Sequence, residues 1–142
     1  MPLKLKDLKP KRRRIKREEP EHIRFVSWFE SEYPSVWIHH SANGESRDSN
    51  HSVAAMRGAT LKAMGVKRGV YDLFIPAWFL WIEMKPKEGG YLSKDQKIFR
   101  DEMERIGFKT FKANGCEEAK EKLQEYLKGD IPCLILKSCL PS

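Results

Sequence analysis

Cysteine is scarce in this chain, and the few cysteines have no spacing that would build a scaffold. Cys116, Cys133 and Cys139 are odd in number and form no C-x-x-C pair. A disulfide framework or a zinc site is therefore not expected. Unpaired cysteines are typical of a reducing compartment, so the cytosol is the simplest location.

Long apolar runs are also missing. The longest, residues 73–82, contains Pro76 and is too short to cross a bilayer. The first residues carry charge but not the apolar stretch that a secretory signal needs. We therefore expect no membrane partner. The length of 142 residues predicts one domain, which can bury a core without disulfide support.

Positive charge is concentrated at the N-terminus. The net charge of the chain is +7, and +6 of it lies in residues 1–19, where nine lysines and arginines oppose Asp7, Glu18 and Glu19. Such an arm suits a polyanion, and a solvated tail without a partner is the alternative. We predict a flexible basic arm over residues 1–19 that contacts nucleic acid.

Apolar periodicity and turn residues divide the rest of the chain. A globular domain is predicted over residues 20–128, followed by an apolar tail, 129–142, that adds an edge strand, docks on the core or forms an interface. The predicted elements are a helix at 21–33, a strand at 36–40, a helix at 52–64, strands at 70–75 and 79–84, a helix at 93–106, a strand at 108–113 and a helix at 117–128. This order, αβ(α)ββαβα, indicates an α/β protein with a mixed β-sheet flanked by helices.

Two carboxylates and a lysine are expected to meet on the predicted hairpin. Asp72 lies in its first strand, and Glu83 and Lys85 lie at the end of its second, where both point to one face. Carboxylates about 4 Å apart repel by roughly 4 kcal/mol at an effective dielectric near 20, so such a pair needs a cation or a retained proton. Oxygen ligands favour Mg²⁺ or Mn²⁺. The hypothesis is metal-dependent attack of water on a phosphodiester, and the alternative is an exposed strand pair with a surface salt bridge.

Other polar residues are weaker candidates. Lys67 and Arg68, in a loop bracketed by glycines, would hold phosphate through charge and loop N–H groups, or belong to a solvated loop. Arg100, on the third predicted helix, is either a phosphate contact or part of a solvated face. His39 and His40 are either site residues or polar residues at a strand end, and the sequence does not decide between these alternatives.

Four short motifs follow one another in a fixed order. They are a glycine-bracketed loop leading to Asp72 (residues 65–73), a Glu-x-Lys (81–85), a Ser-x-x-Gln (92–96) and residues 107–109. This arrangement resembles the PD-(D/E)XK nuclease superfamily, and in its finer pattern the VRR-NUC branch. The resemblance covers roughly residues 20–127 and implies a restriction-endonuclease-like fold. Tyr71 stands where the family usually has proline, which bears on strand geometry more than on chemistry.

The resemblance implies roles for four residues of the predicted hairpin. Asp72 and Glu83 would be ligands of Mg²⁺ or Mn²⁺, with the backbone carbonyl of Met84 as a third ligand. Lys85 would position the attacking water and offset charge at the phosphate. These four residues would form the centre of the site.

Three further residues are implied around that centre. Glu21 matches an acid that the family often places near the metal, and Gln96 matches a residue that borders the site. Asn43 falls where the branch usually has an asparagine that supports the site or touches substrate.

The activity implied by the resemblance is that of a metal-dependent endodeoxyribonuclease. Small members of this branch look phage-encoded, and some resemble junction resolvases that act as dimers. Branched DNA, a homodimer and the cytoplasm of a bacterium or a phage-infected host cell are therefore expectations by resemblance. Fold alone does not settle substrate, and a non-catalytic nucleic-acid-binding module is the alternative.

Removal of the basic arm should change the salt dependence of DNA binding. If the arm neutralises about six phosphates, log K falls with log salt at a slope of about −5. Deleting residues 2–17 should flatten this slope when fluorescence anisotropy is measured on a labelled duplex across a salt series. An unchanged slope would show that the arm adds nothing to affinity.

Overall fold

The computed structural model describes residues 18–41 and 51–129. Nearly all of the predicted arm, the tail from residue 130, and Asn43 lie outside the described residues, as do Cys133 and Cys139. Within the described part of the chain, no helix is long and apolar enough to cross a membrane.

The elements follow the predicted order, and the predicted fold class is confirmed. They are α1 (Glu18–Glu32), β1 (His39–His40), α2 (His51–Ala63), β2 (Leu73–Ile75), a 3₁₀ turn (Pro76–Trp78), β3 (Leu80–Lys85), α3 (Lys94–Arg105), β4 (Lys109–Asn114) and α4 (Gly115–Lys128). The first helix begins inside the segment that the sequence assigned to the arm, with Pro20 in its first turn, where a missing N–H costs no hydrogen bond.

Four strands form one mixed sheet in the order β1-β2-β3-β4. β2 pairs antiparallel with β1 and with β3, while β3 and β4 are parallel and are joined through α3. Leu73 lies opposite Ile82, so the next pair along the hairpin brings Asp72 beside Glu83. The topology therefore gathers the hairpin residues of the motifs at one end of the sheet.

The core lies between one face of the sheet and the helices α1 and α4. Alternation along β3 buries Leu80, Ile82 and Met84 in a cluster with Phe25 of α1 and Leu123 of α4. Burying one large apolar side chain contributes about 1.5–3 kcal/mol, so this face supplies most of the apolar stabilisation of the sheet.

Aromatic rings cover the opposite face of the sheet. Trp81 stacks on Phe74 with ring centroids 4.3 Å apart and meets the edge of Phe99 of α3 at 5.0 Å. Phe99 also lies 5.3 Å from the ring of Tyr71, whose pKa burial raises to about 12. These contacts hold α3 against the face on which Glu83 and Lys85 lie.

Gly69 allows the glycine loop to touch the start of α3. Its φ is +78°, and a Cβ there would lie 2.3 Å from the backbone carbon of Asp95 and 2.7 Å from the backbone nitrogen of Gln96. Such a contact is impossible for any residue with a side chain unless the backbone moves. The loop that leads to Asp72 is thus fitted to the helix that carries Gln96.

Gly69→Ala should destabilise the fold more than Gly65→Ala. Both glycines have positive φ, but an added Cβ at Gly65 would meet nothing within 4 Å. The left-handed conformation alone costs about 1–2 kcal/mol, which is the loss expected for Gly65→Ala. The clash at Gly69 should add about 1–3 kcal/mol. Urea unfolding of both variants measures the difference, and equal losses would contradict this contact.

Candidate active site

Asp72 and Glu83 are held together by each other's strand. The backbone N–H of Asp72 donates to Glu83 Oε2 at 3.3 Å, and the backbone N–H of Met84 donates to Asp72 Oδ2 at 2.9 Å. Each carboxylate therefore reaches across the hairpin to a backbone N–H of the facing segment. This is the convergence that the strand pattern predicts.

Glu83 is the buried charged group of this cluster. Its exposed fraction is 3 %, and its pKa is raised to about 7. Burial is the main cause and the charge of Asp72 is the second, while the hydrogen bond from Lys85 acts in the opposite direction. Both principal causes disfavour the ionised form, so this carboxylate is poised to take up a cation or a proton.

Lys85 and Gln96 complete the surroundings of Glu83. Lys85 Nζ lies 2.9 Å from Glu83 Oε1 and donates to Gln96 Oε1 at 3.1 Å. The amide nitrogen of Gln96 donates to the same Glu83 oxygen. The side chains of Glu83, Lys85 and Gln96 therefore form one network. Asp72 joins it through its backbone N–H, which donates to Glu83.

The helix cap of α3 fixes the position of Gln96. Ser93 Oγ accepts the backbone N–H of Gln96 at 3.1 Å, and Gln96 Oε1 accepts the backbone N–H of Ser93 at 2.9 Å, which forms a capping box. Gln96 thus caps its helix and contacts Lys85 and Glu83 with one side chain. The same side chain therefore caps α3 and borders the acidic cluster.

The glycine loop after β3 packs on the stem of Lys85. A Cβ at Gly90 would lie 3.1 Å from Lys85 Cδ, and Lys112 Nζ donates to the carbonyl of Gly90 at 2.8 Å. Asn114 is the partner of Lys85 in the parallel register. These contacts of Gly90 were not predicted from the sequence, although the Gly-Gly pair just before the capping box indicates a close approach of the backbone.

Glu21 is placed at the N-terminus of α4. Its Oε2 accepts the backbone N–H of Cys116 at 2.7 Å, and its Oε1 accepts from Arg24 at 3.2 Å. The bond from Cys116 is the main reason that the pKa of Glu21 is lowered. A carboxylate is stabilised by the dipole at a helix start. Among the described hydrogen bonds and ion pairs, none joins Glu21 to Asp72 or Glu83, so the structure does not bring it into the cluster.

The candidate phosphate-binding residues lie around the cluster. Lys67 and Arg68 are exposed in the loop before Gly69. Arg100 is partly exposed, pairs with Asp101 at 2.9 Å, and lines a cavity of about 350 Å³.

The two histidines of β1 differ in their contacts. His39 is exposed, whereas His40 Nδ1 lies 3.0 Å from the backbone carbonyl of Asp72 and its ring meets His22 edge to face at 4.6 Å. His22 and His40 line a cavity of about 570 Å³ with Asp72, which gives that carboxylate access to solvent. The sequence left His40 open and missed His22, because that contact joins two distant segments.

The metal-ligating capacity of the site is limited to few side chains. In residues 18–41 and 51–129, no group of three His, Cys, Asp or Glu side chains is arranged to hold a metal ion. Asp72 and Glu83 are therefore a two-carboxylate site. The resemblance implies that the backbone carbonyl of Met84 would be a further ligand.

Comparison with solved structures shows a likeness to a nuclease-type domain. No family model matches the chain, and no curated protein matches it. A solved structure described as a VRR_NUC domain protein matches with a TM-score of 0.59 and 25 % sequence identity over 80 % of this chain and 90 % of that chain. The mixed four-stranded sheet flanked by helices is thus consistent with a VRR-NUC nuclease-like fold. The likeness supports the VRR-NUC family and suggests a nuclease-type module.

Glu83→Gln should flatten the pH dependence of stability in metal-free buffer. Because the pKa of Glu83 is raised from 4.5 to about 7, the folded state binds the proton more tightly than the unfolded state. The free energy of unfolding should therefore fall as pH rises from about 4.5 to 7, by up to about 3 kcal/mol. At pH 8 in EDTA, Glu83→Gln should be more stable than the wild type. Urea unfolding between pH 5 and pH 8 measures this dependence.

Glu125→Gln is the matched control, because Glu125 is exposed on α4. It should keep the wild-type pH profile. Mg²⁺ at pH 8 should raise the unfolding free energy of the wild type and of the control more than that of Glu83→Gln, since a ligand of the folded state stabilises it. A Glu83→Gln profile that parallels the wild type would contradict the assigned burial and repulsion.

Proposed function

We propose that this chain is a VRR-NUC endodeoxyribonuclease that hydrolyses phosphodiester bonds with Mg²⁺ or Mn²⁺. One observation carries the proposal: the buried Glu83 carboxylate shares one end of the sheet with Asp72, Lys85 and Gln96. A structural ion pair needs one carboxylate and one cation. Burial and the charge of a second carboxylate, Asp72, together raise the pKa of Glu83 to about 7, and such a perturbation is typical of functional sites.

The donor set fits a hard divalent cation. Asp72 and Glu83 would hold it through carboxylate oxygens, with the backbone carbonyl of Met84 as the third protein ligand. The two carboxylates repel each other, and a dication bound between them would offset this repulsion. The repulsion therefore supports the assignment. When bound, the cation would polarise phosphoryl oxygens and lower the pKa of water.

Lys85 is held where it can act on the phosphate. Its side chain is 14 % exposed, and its ammonium contacts both Glu83 and Gln96. A fixed ammonium stabilises the negative charge that grows on an attacked phosphate, and it can donate a hydrogen bond to the attacking water. Gln96 keeps this ammonium in place and is itself fixed by the start of α3.

DNA is the proposed substrate because positive charge flanks this site. Lys67 and Arg68 precede the glycine that abuts α3. In the sequence, residues 1–19 carry a further net charge of +6, which favours a polyanion as partner. Charge of this kind contacts the DNA backbone and carries little sequence information. Selectivity for branched or junction DNA is therefore proposed over selectivity for base sequence. Symmetrical cleavage of two strands would require a homodimer.

A non-catalytic nucleic-acid-binding module is the second candidate, and the position of Glu21 favours it. This carboxylate caps α4, so the described residues hold two acidic side chains in the cluster and not three. On this alternative, the basic residues bind DNA while Asp72, Glu83 and Lys85 form a structural network.

Asp72→Ala and Lys85→Ala should each abolish cleavage while leaving DNA binding largely intact. The first removes a metal ligand and the second removes the charge at the phosphate, so a loss of more than about a hundredfold in rate is expected for each. The assay incubates labelled branched, flapped and linear DNA with each variant in Mg²⁺ or in EDTA. Binding is measured separately by anisotropy in EDTA.

Lys109→Ala is the matched control for this assay. Lys109 is exposed and lies at the start of β4, at the other end of the sheet from Lys85. It should cut DNA like the wild type, with Mg²⁺ and not with EDTA. Binding without any cleavage by the wild type would favour the non-catalytic module, and wild-type cutting by Asp72→Ala and Lys85→Ala would show that this site does not perform the reaction.

A further inference from the structure

The helix α2 stands apart from the body of the protein. Every described side chain from residue 55 to residue 68 is exposed except Leu61, which is half-buried. Met56 and Met64, which helical spacing puts on a common face, are 72 % and 75 % exposed. Among the described helices and strands, α2 has no packing partner of the kind that α1 has in α4. Over its described side chains, residues 55–63, this helix therefore buries little apolar surface against the core.

The segment that carries α2 has charge of a single sign. Residues 51–71 include Arg57, Lys62, Lys67 and Arg68 but no aspartate or glutamate. Elsewhere the surface is mixed, with ion pairs such as Arg105 to Glu102. Acidic residues are common on exposed helices, so their absence over this stretch favours a negatively charged partner.

Small residues make α2 a narrow helix. Ala55, Ala59 and Ala63 recur at intervals of four and share one face, and Lys62 lies within that face. An added Cβ at Gly58 would meet nothing within 4 Å, so the space around the helix is open. A thin helix with basic side chains can approach a sugar-phosphate backbone closely.

The position of α2 relative to the candidate site is set by the glycine loop. After α2 the chain turns at Gly65, passes through Lys67 and Arg68, and reaches Gly69, which lies against the first turn of α3. That turn carries Gln96, which contacts Lys85. A polyanion on α2 would therefore continue towards the carboxylate cluster.

We propose that α2 and the following loop form a docking surface for the backbone of the DNA that flanks the scissile phosphodiester. The inference rests on the proposed function in taking DNA as the substrate. Charge complementarity selects this occupant over a second copy of the chain, since two copies facing each other through α2 would bring like charges together. Residues 51–71 contain no Asn, Gln, Asp or Glu, the side chains that pair with adenine and cytosine edges, and their lysines and arginines are expected to contact phosphates.

Lys62→Ala/Lys67→Ala tests this surface against Lys109→Ala/Lys128→Ala, which removes the same charge from exposed positions on β4 and α4. Binding of the full-length chain is measured in EDTA by anisotropy with two fluorescein-labelled duplexes of unrelated sequence. Each lost phosphate contact lowers the salt slope by about one, so the α2 variant should lose about two on both duplexes. The control should keep the wild-type slope. Circular dichroism checks that both variants remain folded.

Equal slopes for the two double variants would overturn the proposal. Sedimentation of Met56→Ser/Met64→Ser tests the other occupant: dissociation of a dimer by this variant, with the slope unchanged in Lys62→Ala/Lys67→Ala, would assign α2 to a second copy. The outcome is separable from that of the proposed function. Wild-type cleavage in Mg²⁺ with equal slopes would reject the docking surface alone, whereas a reduced slope without wild-type cleavage would reject the nuclease and retain the surface.

Discussion

The desolvation of the Glu83 carboxylate is the constraint on which this site depends. A carboxylate removed from water is costly unless it is surrounded by donors, and a second carboxylate beside it adds to the cost. The fold meets this requirement with a lysine two residues along the same strand, an amide from the first turn of α3 and a backbone N–H from the facing strand. The same strands and helix start that build the fold therefore also supply the donors around Glu83.

The rest of the fold serves to hold that arrangement at the end of the sheet. The apolar face of β3 anchors the strand against α1 and α4, which leaves the opposite face free to present Glu83 and Lys85. Two glycines then close the surroundings, with Gly69 against the start of α3 and Gly90 against the stem of Lys85. A side chain at Gly69 would clash with the backbone of α3, and one at Gly90 would crowd the stem of Lys85, so both glycines limit the space around the network.

Local patterns predicted the elements and the centre of the site well. The two-residue spacing of Glu83 and Lys85, the hairpin break and the capping box are short-range signals, and the structure contains each of them. Signals that depend on distant contacts were not predictable. The bond of Glu21 to Cys116 spans 95 positions, and the packing of Gly90 on Lys85 requires the folded loop. The strand predicted at 36–40 is reduced to His39–His40, because aromatic and β-branched composition does not ensure pairing, and Trp37 is exposed. In α2, Met56 and Met64 recur at helical spacing but are exposed, because periodicity shows that residues share a face but not that anything covers it.

The contact between Glu21 and the first turn of α4 has a consequence for biosynthesis. Of the described helices, α1 is made first and packs chiefly on α4, which is made last, and the Glu21 carboxylate reaches its partner N–H only when residue 116 has been made. Contacts of such long sequence separation form late and slow folding. The nascent α1 therefore cannot complete its contact with α4 until all four strands of the sheet have been made, so completion of α4 is a late step in forming the core.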